Sequence, residues 1–279
     1  MNRFKYFLDY LKKNPTTLVG VLLILVFLIM IVFAPLIAPY DPMTPTNEFR
    51  SPPSSKHWFG TDPSGLDVFS RVIYAARIDL FVGLSGTLIS MFVGIALGLY
   101  VGYYRGWVTV IILRIADLLQ AFPVFVLAMA LVAVAGPSIV NVIIAIGILN
   151  IPVYLRLVRS EVLNFRERAV IEAAICAGNS SPRILLKYIL PNNIESALVQ
   201  ASVNVGWAIL LTASLSFIGA GIPVPTPEWG SMVDIGSSMM ITGEWWASFF
   251  PGIAIGLCVF SFALLGDAIR VFVNPEKRG

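Results

Sequence analysis

Long apolar runs separated by polar stretches dominate the chain, and the runs approach the ~20 residues that an α-helix needs to cross a bilayer. Six are legible: Thr17 to Leu36, Leu80 to Tyr103, Val110 to Ala135, Ile139 to Leu157, Leu198 to Ala220 and Phe250 to Val273. The pattern predicts an all-α polytopic membrane protein with six transmembrane helices. The third run is the least regular, because Arg114 and Asp117 lie in its first turns. The first run follows Arg3, Lys5, Lys12 and Lys13, as the core of a signal peptide would. It is longer than the ~7 to 15 residues of such a core and ends in APLIAPYDP, so it reads as a retained helix.

Composition agrees with the pattern. Of 279 residues, 57% are apolar and 13% are charged, against roughly 25% charged in an ordinary soluble domain. The net charge of +3 orients the chain in the membrane rather than pointing to nucleic acid. With six spans both termini share a side. If that side is inside, fifteen Lys and Arg lie within, and only Arg50, Lys56, Arg71 and Arg77 lie outside. The positive-inside rule then predicts cytoplasmic termini, with Trp245 and Trp246 in an outer interfacial belt. Three units result: an N-terminal segment 1–16, a first helix with a structured outer loop over 17–78, and a five-helix core over 79–279. Within the first unit, Arg3 to Pro15 alternates apolar and basic residues as an interfacial helix would.

Catalytic chemistry finds no support in the sequence. HExxH, GxSxG and CxxC are missing, and so is the GxxxxGK[ST] loop that would cradle ATP phosphates. Cys176 and Cys258 have no paired spacing, and His57, the one histidine, has no neighbouring His or Cys to share a metal. His57 reads as a loop residue without a role. Charges inside apolar runs are candidates by default. Asp117 follows Arg114 by three residues and Asp267 precedes Arg270 by three, so each pair shares a helix face and reads as a structural ion pair. Gly94, Gly98 and Gly102 form a stripe on which another helix, of this chain or of a partner, can approach closely. Asn141, Asn150, Gln200 and Asn204 fit either a polar conduit or hydrogen bonds between helices.

The longest segment on the predicted inner side, 158–197, is amphipathic. Val170, Ile171, Ala174 and Ile175 recur at helical spacing, Gly178 can end that helix in a left-handed cap, and Pro182 can sit in the first turn of a second helix. The pattern predicts a short helix, a sharp turn and a second helix ending at Pro191. Taken alone, such a unit suits a partner-docking loop and a passive connector equally.

The stretch EAAICAGNSSPRILLKYILP, however, resembles the EAA loop of ABC-importer permeases, with Glu172, Ala173, Ala174, Gly178, Leu190 and Pro191 at the family positions. It departs at Tyr188, where isoleucine or histidine is usual. HWFGTDPSGLDVFSRVIYAAR, RIADLLQAFP, LTASLSFIGAGIPVPTPEWGSMV and WWASFFPGIAIGLCVFSFALLGDAIR extend the likeness to the C-type permease of dipeptide, oligopeptide and nickel importers. Leu66 and Ala76 depart from the arginine and glycine that relatives carry. The resemblance implies a type I importer permease in the bacterial inner membrane. Its partners would be a second related permease, two ATPase subunits that hold ATP and Mg, and an external substrate-binding protein. It also implies that Glu172 to Pro191 receives force from an ATPase, and that Gly60, Thr61, Asp62, Gly65 and Asp67 belong to an outer contact loop. The solute would be a peptide, a nickel chelate, an opine or a glutathione-like compound. A proton-coupled secondary carrier is the alternative of another class.

Overall fold

The structure, a computed structural model, describes residues 10–273. Most of the predicted N-terminal interfacial helix, and the basic residues from Lys277 onward, fall outside them. Residues 10–13 are helical, and Leu11 is buried.

Helix α1 spans Pro15–Ile37, and a 30-residue polar loop leads to α2, Val68–Tyr103. The second run therefore starts twelve residues earlier than its hydropathy predicts. At 1.5 Å per residue, 36 residues extend about 54 Å, well beyond a ~30 Å hydrocarbon core. The first turns of α2 stand out of the apolar layer and bear the loop. Their polar residues hid them from a hydropathy reading.

The third run is not one helix. It breaks into α3, Trp107–Ala121, and α4, Val124–Ala135, which meet at 97°. Pro123 pushes the preceding Phe122 out of helical geometry, to φ −94° and ψ 147°. Among the described residues, five helices are long and apolar enough to span a membrane, or six with the bent pair taken as one span. Helix α5, Ile139–Arg166, continues nine residues past its predicted end. Short helices α6, Ala169–Cys176, and α7, Ser181–Ile184, follow, then a π-turn over Leu185–Ile189 and α8, Leu190–Phe217. Helix α9, Trp229–Met239, and a 3-10 turn lead to α10, Trp246–Val273.

Helices α2 and α5 run parallel and form the centre of the bundle. Added Cβ atoms on Gly94, Gly98 and Gly102 would come within 2.5, 2.8 and 2.7 Å of the Cβ atoms of Tyr154, Val158 and Val162. The glycine stripe is therefore an intrachain seam. Arg166 crosses it at one end, its Nη1 donating to the Tyr103 carbonyl that ends α2 (3.1 Å). Helix α8 packs on the same pair, while α1 and α10 pack together against its flank. Helix α3 stays peripheral, with Ala116 its one buried residue.

Pro35 lies inside α1 and supplies no N–H for the carbonyl of Ile31, four residues earlier. Arg77 of α2 fills the gap, its Nε donating to Ile31 O at 2.6 Å. Both described ends of the chain lie at the same end of the bundle as α6, and the 38–67 loop lies at the other.

Candidate functional site

Helix α6 stands between α5 and the turn into α8. Ile171 and Ala174 bury one face in the cluster that includes Tyr154, Val158, Val162, Ile184 and Ile189. The opposite face presents Val170, Glu172, Ala173 and Ile175 to the surroundings. Gly178 takes φ +76°. Its N–H reaches Ile175 O at 2.9 Å and the Asn179 N–H reaches Ala174 O at 3.1 Å, as a glycine-terminated helix end requires. An added Cβ on Gly178 would meet nothing within 4 Å, so only its backbone angle demands glycine. Exposed Arg168, Arg183 and Lys187 rim the unit.

The second predicted helix does not end at Pro191. The chain continues through it into α8, where Pro191 occupies the first turn. The π-turn immediately before leads into it, the Leu190 N–H reaching five positions back to Leu185 O. Tyr188, in that turn, is half-buried against the same cluster, and its carbonyl accepts from Asn192 Nδ2 (2.7 Å).

At the opposite end, the five outer-loop residues are buried, and they build the loop rather than present a surface. Asp67 caps α2, accepting from Ser70 N at 2.8 Å and from Ser70 Oγ at 2.7 Å. Its other oxygen takes His57 Nδ1 at 2.7 Å, and the imidazole stacks on Tyr40 with centroids 4.8 Å apart. His57 is only 2% exposed, so it has the structural role that its sequence context concealed. Asp62 Oδ1 accepts from Ser64 N and Leu66 N at 2.8 and 2.9 Å. Burial holds the Asp62 carboxyl above its ordinary pKa, against the pull of those N–H groups and of Arg71. Leu66, where relatives carry arginine, is buried at 6% exposure. Gly60 makes room for Trp246, whose Nε1 donates to Thr61 O (3.1 Å). Trp246 is therefore a buried clasp for the loop, and Trp245 alone of the two is exposed.

Three features escaped the sequence reading. Arg71 is 1% exposed and ties the loop down by donating to the carbonyls of Pro42 (2.8 Å) and Pro225 (3.2 Å). Asp79 and Glu228 are both fully buried. Asp79 Oδ2 accepts from Trp229 N (3.1 Å), and the Glu228 carboxylate caps α9 through Gly230 N (2.8 Å) and Ser231 N (2.7 Å). Burial raises the Glu228 pKa despite these two donors. Asp79 stands just before the apolar run, and Glu228 opens a capping pattern, signals through which the sequence could have pointed to them.

Among the described residues neither predicted ion pair forms. Asp117 reaches Arg156 of α5 at 2.7 Å rather than Arg114, because α3 lies beside that helix. Among the described residues no ion pair joins Asp267 to Arg270, and both are exposed. Asn141 closes the turn before α5, donating to Ala135 O and Gly136 O. Gln200, Asn204 and Asn150 instead meet at a cavity of about 520 Å3 in the elbow of the broken span.

The family model for the inner membrane component of binding-protein-dependent transport systems matches residues 94–279. A second, for the N-terminal transmembrane domain of oligopeptide transport permease C, matches residues 2–53. The dipeptide transport system permease protein DppC of Alkalihalophilus pseudofirmus is 42% identical over 96% of this chain and 88% of its own length. The probable D,D-dipeptide transport system permease protein DdpC of Escherichia coli is 40% identical over 96% of this chain and 90% of its own. The glutathione transport system permease protein GsiD of Pectobacterium atrosepticum is 38% identical over 96% and 89%. The chain belongs to the binding-protein-dependent transport system inner membrane components, the multi-pass permease subunits of ATP-driven importers.

Proposed function

We propose that this permease forms half of a translocation pathway for short peptides or glutathione-like solutes, the other half coming from a related second permease. Two ATPase subunits carry ATP and Mg, and an external binding protein delivers the solute. The substrate class is supported by the names of relatives that match nearly end to end, which are dipeptide, D,D-dipeptide and glutathione permeases.

The observation that carries this reading is α6. A helix seated by Ile171 and Ala174, yet presenting Glu172, Ala173 and Ile175 outward, has the form of a knob for another protein's cleft. The basic rim of Arg168, Arg183 and Lys187 suits acidic partner residues, and the excess of Lys and Arg at this end favours the cytoplasmic side. In this assignment Glu172 and Ala173 contact the ATPase. Gly178, Tyr188, Leu190 and Pro191 hold the turn that joins the contact to α8.

The test replaces Glu172 or Gly178 with arginine in the complete transporter. Arginine at 178 also costs about 1 kcal/mol for a left-handed backbone angle. Both variants are expected to insert in the membrane while losing ATPase co-purification and solute-stimulated hydrolysis. Uptake at the wild-type rate in both would refute the assignment.

A further inference from the structure

The elbow cavity is lined by three elements. Gln120, Phe122 and Val124 come from the α3–α4 break, Leu149 and Asn150 from α5, and Gln200, Asn204 and Trp207 from α8. Asn150 lies eleven residues into α5, about 17 Å from its start at 1.5 Å per residue, which is near mid-depth of a ~30 Å apolar layer. Among the described residues its wall carries no acid, base, histidine or cysteine. Four carboxamides supply the polarity.

Such groups are costly to bury unless they are paired. Gln200 Nε2 donates to Asn204 Oδ1 at 2.9 Å, which uses one end of each amide. Asn204 is 5% exposed, and among the described residues its Nδ2 has no hydrogen-bond partner. Exchanging O and N on both amides preserves the pair and still leaves one end of Asn204 over. The Tyr154 hydroxyl lies close enough to the Asn204 side chain to interact with it, yet among the described residues it meets hydrogen-bond geometry with no partner. Asn150 makes only a long contact, 3.5 Å, to Ile146 O.

We propose that Asn204, with Gln200, Asn150 and Gln120, is this chain's contact point for the moving solute and takes its peptide groups. This inference rests on the permease reading above and names where and how the solute is held. A primary carboxamide offers a donor and an acceptor side by side, the complement of a secondary amide, and can take either end of it. A wall without charge neither traps nor repels the ionised termini of a peptide, so holding stays weak enough for release. Phe122 and Trp207 supply apolar surface for side chains, and the volume falls in the usual range for small-ligand sites.

The experiment uses the complete transporter in proteoliposomes, with saturating binding protein and ATP, and alanyl-alanine and glutathione as probes. Asn204→Leu is expected to lower uptake about fivefold to tenfold, as losing one hydrogen bond implies. ATP hydrolysis should stay within about twofold, so that solute moved per ATP falls. Asn204→Gln should recover part of the rate. If Asn204→Leu fails to assemble, the double variant Gln120→Leu/Gln200→Leu, at more exposed positions, is expected to give the same split. Unchanged uptake, or equal loss of uptake and hydrolysis in every assembled variant, overturns the inference and leaves the permease reading standing. A wild-type complex that takes up neither probe overturns the peptide reading, and this inference with it.

Discussion

The contact between Arg77 and Ile31 makes a prediction that a list of hydrogen bonds would not. Pro35 deprives the Ile31 carbonyl of its helical donor, and Arg77 replaces that donor from a neighbouring helix at 2.6 Å. Hydrogen bonds to charged groups contribute about 1.5–3 kcal/mol, and no water replaces this one if the carbonyl faces lipid. Arg77→Met, which keeps an unbranched stem, should therefore lower the unfolding midpoint by roughly 3–12 °C, at the ~2–4 °C per kcal/mol of larger domains. Pro35→Ala restores an N–H in register with Ile31 O. In that background the arginine is redundant at this carbonyl, and Arg77→Met should cost under about 1 kcal/mol, leaving a coupling energy of at least ~0.5 kcal/mol. Thermal unfolding in detergent can be followed with a thiol-reactive dye, since Cys176 is exposed and reacts at once, whereas Cys258 is buried and reports unfolding. Additive shifts in the double variant would refute the argument.

Two further outcomes follow from packing and burial. Gly98→Ala places a methyl group 2.8 Å from Val158 Cβ and 2.9 Å from Leu155 O, so it should destabilise the α2–α5 seam by about 1–3 kcal/mol. Gly252→Ala, where nothing lies within 4 Å, should be neutral or stabilising by up to ~1 kcal/mol, and equal melting shifts for the two would sink the seam. Burial raises the Asp62 carboxyl, so the fold holds that proton more tightly than the unfolded chain does. Its contribution is fully present below the ordinary carboxylate pKa near 4 and is lost as pH rises through the shifted value. Asp62→Asn keeps the acceptor for Ser64 and Leu66 and should flatten that decline. A melting-temperature profile across acidic pH that is unchanged in the variant would contradict it.

Where hydrophobicity alone determines structure, the sequence was readable. The apolar runs marked the membrane helices, and the glycine spacing marked their seam. The helical spacing of Val170, Ile171, Ala174 and Ile175 marked α6, and Gly178 marked its cap. The misses share a cause, which is that polar residues were judged by sequence neighbours rather than spatial ones. His57 gains its role from Asp67 and Tyr40, ten and seventeen positions away, and Asp117 finds Arg156 across helices. Asp79 and Glu228 meet the same loop end from positions far apart in the chain. The break at Pro123 was visible as a residue, but an unbroken apolar composition outweighed it. Pro191 erred the other way, since a proline in the first turn of a helix after a π-turn interrupts nothing.

The two candidate sites are mechanically related. Helix α6 is seated in one apolar cluster that also holds Tyr154, Val158 and Val162 of α5 and the Ile184–Ile189 turn leading into α8. Helix α8 is continuous from Leu190 to Phe217, so Gln200 and Asn204 lie about 15 and 21 Å along a single rod from the turn beside α6. The glycine seam binds α5 to α2 over Gly94, Gly98 and Gly102, where close-packed backbones leave little freedom to slide. The opposite cavity wall, from Gln120 to Val124, belongs to the bent pair α3–α4, whose first helix meets α5 through Ala116 beside Leu155 and the exposed pair Asp117–Arg156, and whose second shares a buried cluster with α5 through Ala128 and Val132. On the proposed coupling, a load applied at Glu172 reaches Asn204 and Asn150 directly along α8 and α5, and reaches Gln120 at second hand, through the packing of the bent pair on α5. On the two proposals together, a displacement of the amides of α5 and α8 against the elbow changes the shape of the cavity proposed to hold the solute.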